Sequence, residues 1–218
     1  MKHFNHKLVP EFELSDEIID GKRFYTLHDG TKLKSVTTVL GEKLDKSALL
    51  KWREAVGDEE ADKIGRIAAA RGSILHNLNE ALIRNEVIDT RRVMPFHLAT
   101  FHQFRKELEK HVDDILGIEL PLASKALGVA GRTDLVARWD GVPSIIDYKT
   151  SKRLKEEDWI ESYFLQTTIY SLMFEWTYKI KIPQIVVLIA VDHENDCQVF
   201  IKERALYVNR VLELLVDN

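Results

Sequence analysis

The dipeptide Asp140-Gly141 constrains this chain more than any other feature. Between apolar or alternating runs, such a pair is the strongest short-range signal for a β-hairpin, because both residues tolerate positive φ and the turn they form matches strand twist. The flanks fit. Gly131 to Trp139 mixes polar and apolar residues, and Ser144 to Lys149 is apolar until it reaches Asp147. A two-residue loop also fixes the register, so Trp139 faces Val142, Val136 faces Ile145 and Asp134 faces Asp147. Side chains alternate along a strand, which puts Asp147 and Lys149 on one face and Tyr148 on the other. The turn therefore predicts two carboxylates side by side, with a lysine one step along.

Like charges directly opposite each other destabilise a sheet. A fold tolerates them where something positive sits between. Hard divalent cations choose carboxylate oxygens, and magnesium takes only one or two of them and fills its shell with water and phosphate. A lysine beside such a site can hold a phosphate or help an attacking water. The bland alternative, a solvated hairpin end, fits poorly because Ile145-Ile146 before Asp147 reads as buried.

The chain has 218 residues with 45% apolar content, enough for one compact domain. It divides into a peripheral β-hairpin region (1–45), a helical region (46–116) and an αβ core (117–218). No stretch is long and apolar enough to span a membrane, and MKHFNHKLVP lacks the apolar core of a signal peptide. The single cysteine, Cys197, excludes an intrachain disulfide and any cluster held on several cysteines of this chain, and points to a reducing, cytoplasmic setting. A formal charge of −4 means that any nucleic-acid surface must be a local patch.

In the first region, Lys22 to Leu27 and Thr31 to Lys34 flank His28-Asp29-Gly30, a second hairpin signal. It reads equally as a packing ornament or as part of a site. Ser35 to Leu40 could be a strand or a short capped helix, with Gly41 stopping it. Helices are expected over Ser47 to Val56 and Asp58 to Arg84, the latter opening on Asp58-Glu59-Glu60, which suits a helix N-terminus. Ala69, Gly72, Ser73, His76 and Glu80 share one edge of it. Small residues there let another element or a ligand come close. His76 is the one long polar group on that strip, and such a histidine is either a hydrogen-bonded core residue or a ligand. A third helix is expected from Phe96 to Leu116, with His97, His102 and His111 at its surface. A strand from Ile118 to Lys125 follows, with Glu119 near its start as an acid that could reach the hairpin. After a basic loop, Thr150 to Lys155, a helix from Glu157 to Lys179 carries Tyr163, Gln166 and Tyr170 on one edge. Two strands, Gln184 to Val191 and Cys197 to Lys202, and a helix from Arg204 to Val216 complete the reading.

G-R-T-D, then D-Y-K-T-S, then Q-x-x-x-Y, with a helix histidine upstream in A-R-G-S-I-L-H, resembles the PD-(D/E)XK nuclease superfamily in its RecB-like branch. Within it, S-V-T-T-V-L followed by a tryptophan-bearing helix is similar to the mitochondrial genome maintenance exonucleases and their phage and bacterial relatives. The similarity covers Ser35 to Tyr170. It implies an α/β fold with a restriction-endonuclease-like core, a central mixed sheet flanked by helices, and an N-terminal helical arch. It implies a Mg2+- or Mn2+-dependent deoxyribonuclease, without an iron–sulfur cluster, acting on DNA that is single-stranded or has a free end. Asp134, Asp147, Lys149 and Gln166 would be the catalytic group. His76, Asp134, Asp147 and the backbone carbonyl of Tyr148 would hold the metal, with Glu119 as a further acid. Arg71, Ser151, Lys152, Arg153 and Tyr170 are candidates for contacts to the nucleic acid. A structure-specific endonuclease and a catalytically silent binding subunit are the alternatives, though the latter would be expected to lose the lysine or an acid.

Overall fold

The computed structural model describes residues 2–216. In chain order the elements are β1 (Ser15–Ile19), β2 (Lys22–Thr26), β3 (Lys32–Ser35), α1 (Val36–Lys43), α2 (Ser47–Val56), α3 (Asp58–Ile83), α4 (Pro95–His111), β4 (Val112–Ser124), β5 (Val129–Trp139), β6 (Val142–Ser151), α5 (Glu161–Tyr178), β7 (Gln184–Val191), β8 (Gln198–Glu203) and α6 (Ala205–Leu215). Asp140 and Gly141 take φ of 49° and 81°, as a two-residue hairpin loop requires. The ladder between β5 and β6 runs from Trp139–Val142 to Leu135–Ile146 in the register that the turn dictates.

That ladder stops one pair short of Asp134 and Asp147. The two aspartates keep their register but are not bridged. Instead the backbone N–H of Tyr148 donates to Asp134 Oδ2 at 2.8 Å. The reason lies at the other end of β5. Its second edge is taken by β4 over nearly its whole length. The edge that β6 leaves at Leu135 is taken up again by β3, parallel, at Val129 and Ala130. Between them the sheet forks, and residues 131–134 of β5 line the opening.

Alternation along the strands sorts the core. Leu135, Ala137, Ile146 and Tyr148 face α3 and α4, meeting Leu75, Leu78, Phe104 and Leu108. Val136 and Ile145 face the other way, toward α1, α5 and α6 through Val36, Leu165, Ile169 and Val211. The result is a mixed α/β fold, an eight-stranded sheet with helices on both faces. α2 buries no side chain. α3 buries only Ala61 before Leu75, so its first half stands clear of the core.

Several elements differ from expectation. The helix expected to reach Leu116 ends at His111, and β4 begins at once, inside the span read as helical. Two register shifts, between Asp113 and Ile115 and between Ile115 and Gly117, hide the two-residue period of this strand. His111, expected at the surface, stacks on Trp139 with ring centroids 4.8 Å apart and sets Nδ1 2.8 Å from Asp140 Oδ1, which pins the hairpin turn. Ser35 to Leu40 resolves as helix α1, with the Ser35 hydroxyl accepting from Thr38 N–H. Gly41 does not stop that helix, which runs on to Lys43. β1 was not foreseen, although Asp20-Gly21, with φ of 50° and 73°, repeats the Asp-Gly signal. Through β3 these strands join the main sheet. After a 3-10 turn at Glu157–Trp159, α5 starts four residues later than expected.

The fork also explains Gly131. A Cβ there would lie 2.6 Å from Tyr170 Oη and 3.1 Å from its ring. Gly131→Ala should cost about 1–3 kcal/mol of stability, as overpacking does, measured by chemical denaturation. Adding Tyr170→Phe should recover part of the loss, because the hydroxyl is the first atom met. If nothing is recovered, the clash is not what makes Gly131 necessary.

Candidate functional site at the sheet fork

The fork opens into a cleft of about 810 Å³. One wall is the strip of α3 from Ala69 to Glu80, including Gly72, Ser73 and His76. The floor is Glu119, Arg132, Asp134 and Lys149, and α5 adds Gln166 and Tyr170. The five α3 residues expected on one edge all lie here. α3 packs on the sheet face opposite to the two aspartates. His76 reaches Asp134 where the strands part.

His76 Nδ1 lies 3.5 Å from Asp134 Oδ1 and 3.6 Å from Glu119 Oε1. One ligand atom from each of His76, Glu119 and Asp134 falls within 4.8 Å of the other two. Glu119 sits between the Ile118–Leu135 and Leu120–Thr133 pairs of the β4–β5 ladder, so it stands opposite Asp134. Its φ is +47°, a left-handed conformation that costs a non-glycine residue on the order of 1–3 kcal/mol and clusters at functional positions. Arg132 Nη1 donates to the Glu119 carbonyl at 3.3 Å and Nη2 to the Leu14 carbonyl at 3.3 Å, bracing the strained backbone.

Asp147, 2% exposed, lies deeper. Gln166 Nε2 donates to Oδ1 at 3.0 Å, and Lys149 Nζ forms an ion pair with Oδ2 at 2.5 Å. The Lys149 ammonium also sits 5.2 Å from the centroid of the Tyr163 ring. The expected edge Tyr163, Gln166, Tyr170 thus meets Lys149, Asp147 and Gly131 in turn.

The electrostatics follow from burial and crowding. Burial disfavours a charged His76 ring, but Asp134 and Glu119 outweigh it and raise its pKa to about 9. Burial pushes Asp147 up to about 6 against the pull of Lys149, and burial likewise raises Asp134. Burial would lower Lys149, but Asp147 and Asp134 hold it above its ordinary value. A divalent cation suits this donor set. Two carboxylate oxygens and one imidazole nitrogen converge, and negative charge is concentrated where water is scarce.

The other candidates divide. Tyr148 gives its N–H to Asp134, and its ring packs against Phe104 and edge-on to His76. Tyr170 is buried beneath the cleft, 4% exposed. Lys152 and Arg153 are exposed on the loop after β6. The Ser151 hydroxyl is used locally, donating to the Arg153 carbonyl at 2.6 Å. Arg71 is the clear departure from expectation. Its guanidinium pairs with Asp192 at 2.5 Å, donates to Thr100 Oγ1 at 3.2 Å and lies over the Phe96 ring, so it is not presented to a phosphate. Arg132 and Arg23 line the cleft but were not foreseen. Alternation from Asp134 would have found Arg132; only the unread Asp20-Gly21 hairpin would have placed Arg23.

A family model described as the PD-(D/E)XK nuclease superfamily matches residues 22–205. The chain belongs to that superfamily, whose members are nucleases that use divalent metal ions on nucleic acid. No curated protein matches the chain. Among the described residues, no helix is long and apolar enough to cross a membrane.

The raised pKa of His76 predicts a pH dependence in ion-free protein. Its folded state holds a proton that the unfolded chain releases near 6.5, so its contribution to stability is complete below about pH 6.5 and is lost as pH rises through about 9. Denaturation midpoints should fall across that window, and His76→Ala should flatten this part of the profile. Mn2+ added at pH 7.5 should expel a proton, seen as a binding heat that varies with the ionisation enthalpy of the buffer. A midpoint in His76→Ala that falls as steeply as in the parent would show that the proton sits elsewhere.

Proposed function

We propose that this chain is a Mg2+- or Mn2+-dependent deoxyribonuclease acting as an exonuclease on single-stranded ends. The convergence of His76, Glu119 and Asp134 in the cleft carries the reading. These three would hold the ion, with Asp147 and the Tyr148 carbonyl closing the site from the hairpin side. The bound metal would polarise the scissile phosphate and lower the pKa of a water.

The chain's own groups do the rest. Asp147 keeps Lys149 charged and aimed into the cleft, where the ammonium orients the attacking water and steadies charge developing on the phosphate. Gln166 locks the Asp147 carboxylate in one orientation. The bare strip Ala69, Gly72, Ser73 would leave room for a single backbone, and two smaller cavities lie beneath α3, one beside Lys149 and one beside Lys152. Arg23, Lys152 and Arg153 would meet phosphates before and after the scissile one, and Tyr170 forms part of the cleft floor. A single cysteine suits a reducing, intracellular setting.

The test is to incubate end-labelled linear and circular single-stranded DNA with Mn2+. Linear strands should shorten from an end and circles should survive; cleaved circles would favour the structure-specific endonuclease. Asp147→Asn and Lys149→Ala should each lower turnover at least about 100-fold while binding DNA nearly as well, since phosphate contacts come mainly from elsewhere. Near-normal turnover in either would refute the assignment. His76→Ala should lose activity that high metal partly restores. A variant that cleaves normally but melts lower would make His76 a core histidine.

A further inference from the structure

We propose that Arg71 is a positioning residue, clamping α3 to the end of strand β6 so that His76 meets Asp134 and Glu119. The proposal rests on the reading of His76 as a metal ligand. Its basis is what holds α3 at this point. Ahead of Leu75 the helix has left the core, and Gly65 to Ala70 are all exposed. No atom outside the helix lies within 4 Å of where a Gly72 Cβ would be, and cavities of about 170 and 120 Å³ lie beneath this stretch. Leu75 and Leu78 seat the helix on the sheet from there on, but no apolar packing sets its height ahead of them.

Arg71 does. Its side chain is 10% exposed and that of its partner Asp192 is 12% exposed, a nearly dry ion pair at 2.5 Å. Thr100 Oγ1 accepts from the same Nη2 at 3.2 Å, and the Phe96 ring, also on α4, lies against the guanidinium. Asp192 is not a loose partner. Its N–H donates to the Ser151 carbonyl at 3.0 Å, at the end of β6. The residue before it, Val191, is gripped by Gln103, whose amide accepts from the Val191 N–H at 3.0 Å and donates to the Val191 carbonyl at 2.9 Å. Lys149 lies two residues before Ser151 on the same strand. His76 lies five residues after Arg71, about 7.5 Å along the helix axis. One ion pair thus fixes the helix that bears the imidazole relative to the strand that bears the lysine.

The test uses the full chain without DNA. Mn2+ affinity is measured by calorimetry, and melting temperature alongside, for the parent, Arg71→Met, Asp192→Asn, His76→Ala and Arg71→Met/His76→Ala. Groups that orient a ligand commonly change metal affinity by about 10–100-fold when lost. Arg71→Met and Asp192→Asn should each weaken Mn2+ binding by about 10-fold or more. In the His76→Ala background, Arg71→Met should change affinity by less than about 2-fold, because the ligand it positions is already gone. A lowered melting temperature with parental affinity would overturn the proposal. So would a loss of affinity that is the same with and without His76. If Arg71→Met fails to fold, Asp192→Asn with its own His76→Ala double gives the same comparison. A parent protein that takes up no Mn2+ would instead overturn the metal-centre reading, and this proposal with it.

Discussion

Two carboxylates meet at the fork, Asp147 buried and Asp134 nearly so. Removing a charge from water costs several kcal/mol even after the protein relaxes, and a second like charge adds to that. The sheet lowers the cost in three ways. Lys149 pairs with Asp147, the His76 ring approaches Asp134, and a backbone N–H and the Gln166 amide take up one oxygen of each. The approach of His76 would fail in an unbroken sheet, where a bridged strand would screen the α3 face from the carboxylates. The splaying of β5 from β6 is therefore a condition of the site, and β3, taking over the vacated edge of β5, stops the opening from propagating.

Helix α5 shows the same logic from the other side. Ten of its residues are buried, so it is apolar nearly all round, as a central helix should be. Three of its polar residues have specific tasks. Gln166 orients Asp147, and Thr167 and Ser171 return their hydroxyls to backbone carbonyls of the same helix. In a sequence of net charge −4, attraction for a polyanion has to come from a local patch.

Much of this was legible because it is local. Asp140-Gly141 set the hairpin register, Asp58-Glu59-Glu60 marked the start of α3, and the small residues beside His76 marked the edge that lines the cleft. What could not be read depends on partners distant in the chain. Nothing in the sequence around Glu119 announces its positive φ, which depends on β5 and on the brace from Arg132. The end of α4 at His111 is set by Trp139 and Asp140, some thirty residues on. Arg71 reads as a free cation until Asp192, far along the chain, is folded against it. The missed strand β1 differs in kind, since Asp20-Gly21 carried the same information as the turn that was read.

The Asp140-Gly141 turn lies about 17 Å from Asp147 along β6 and touches nothing in the cleft, yet it decides which way that carboxylate points. One residue added to the loop would shift the pairing by one place and turn Asp147 and Lys149 to the opposite face of the sheet. Tyr148 would rotate into their place and present an uncharged ring to Asp134. The loop is thus a remote part of the site's machinery. It can change its side chains, at the loss of the His111–Asp140 contact, so long as both residues accept positive φ, but it cannot change its length.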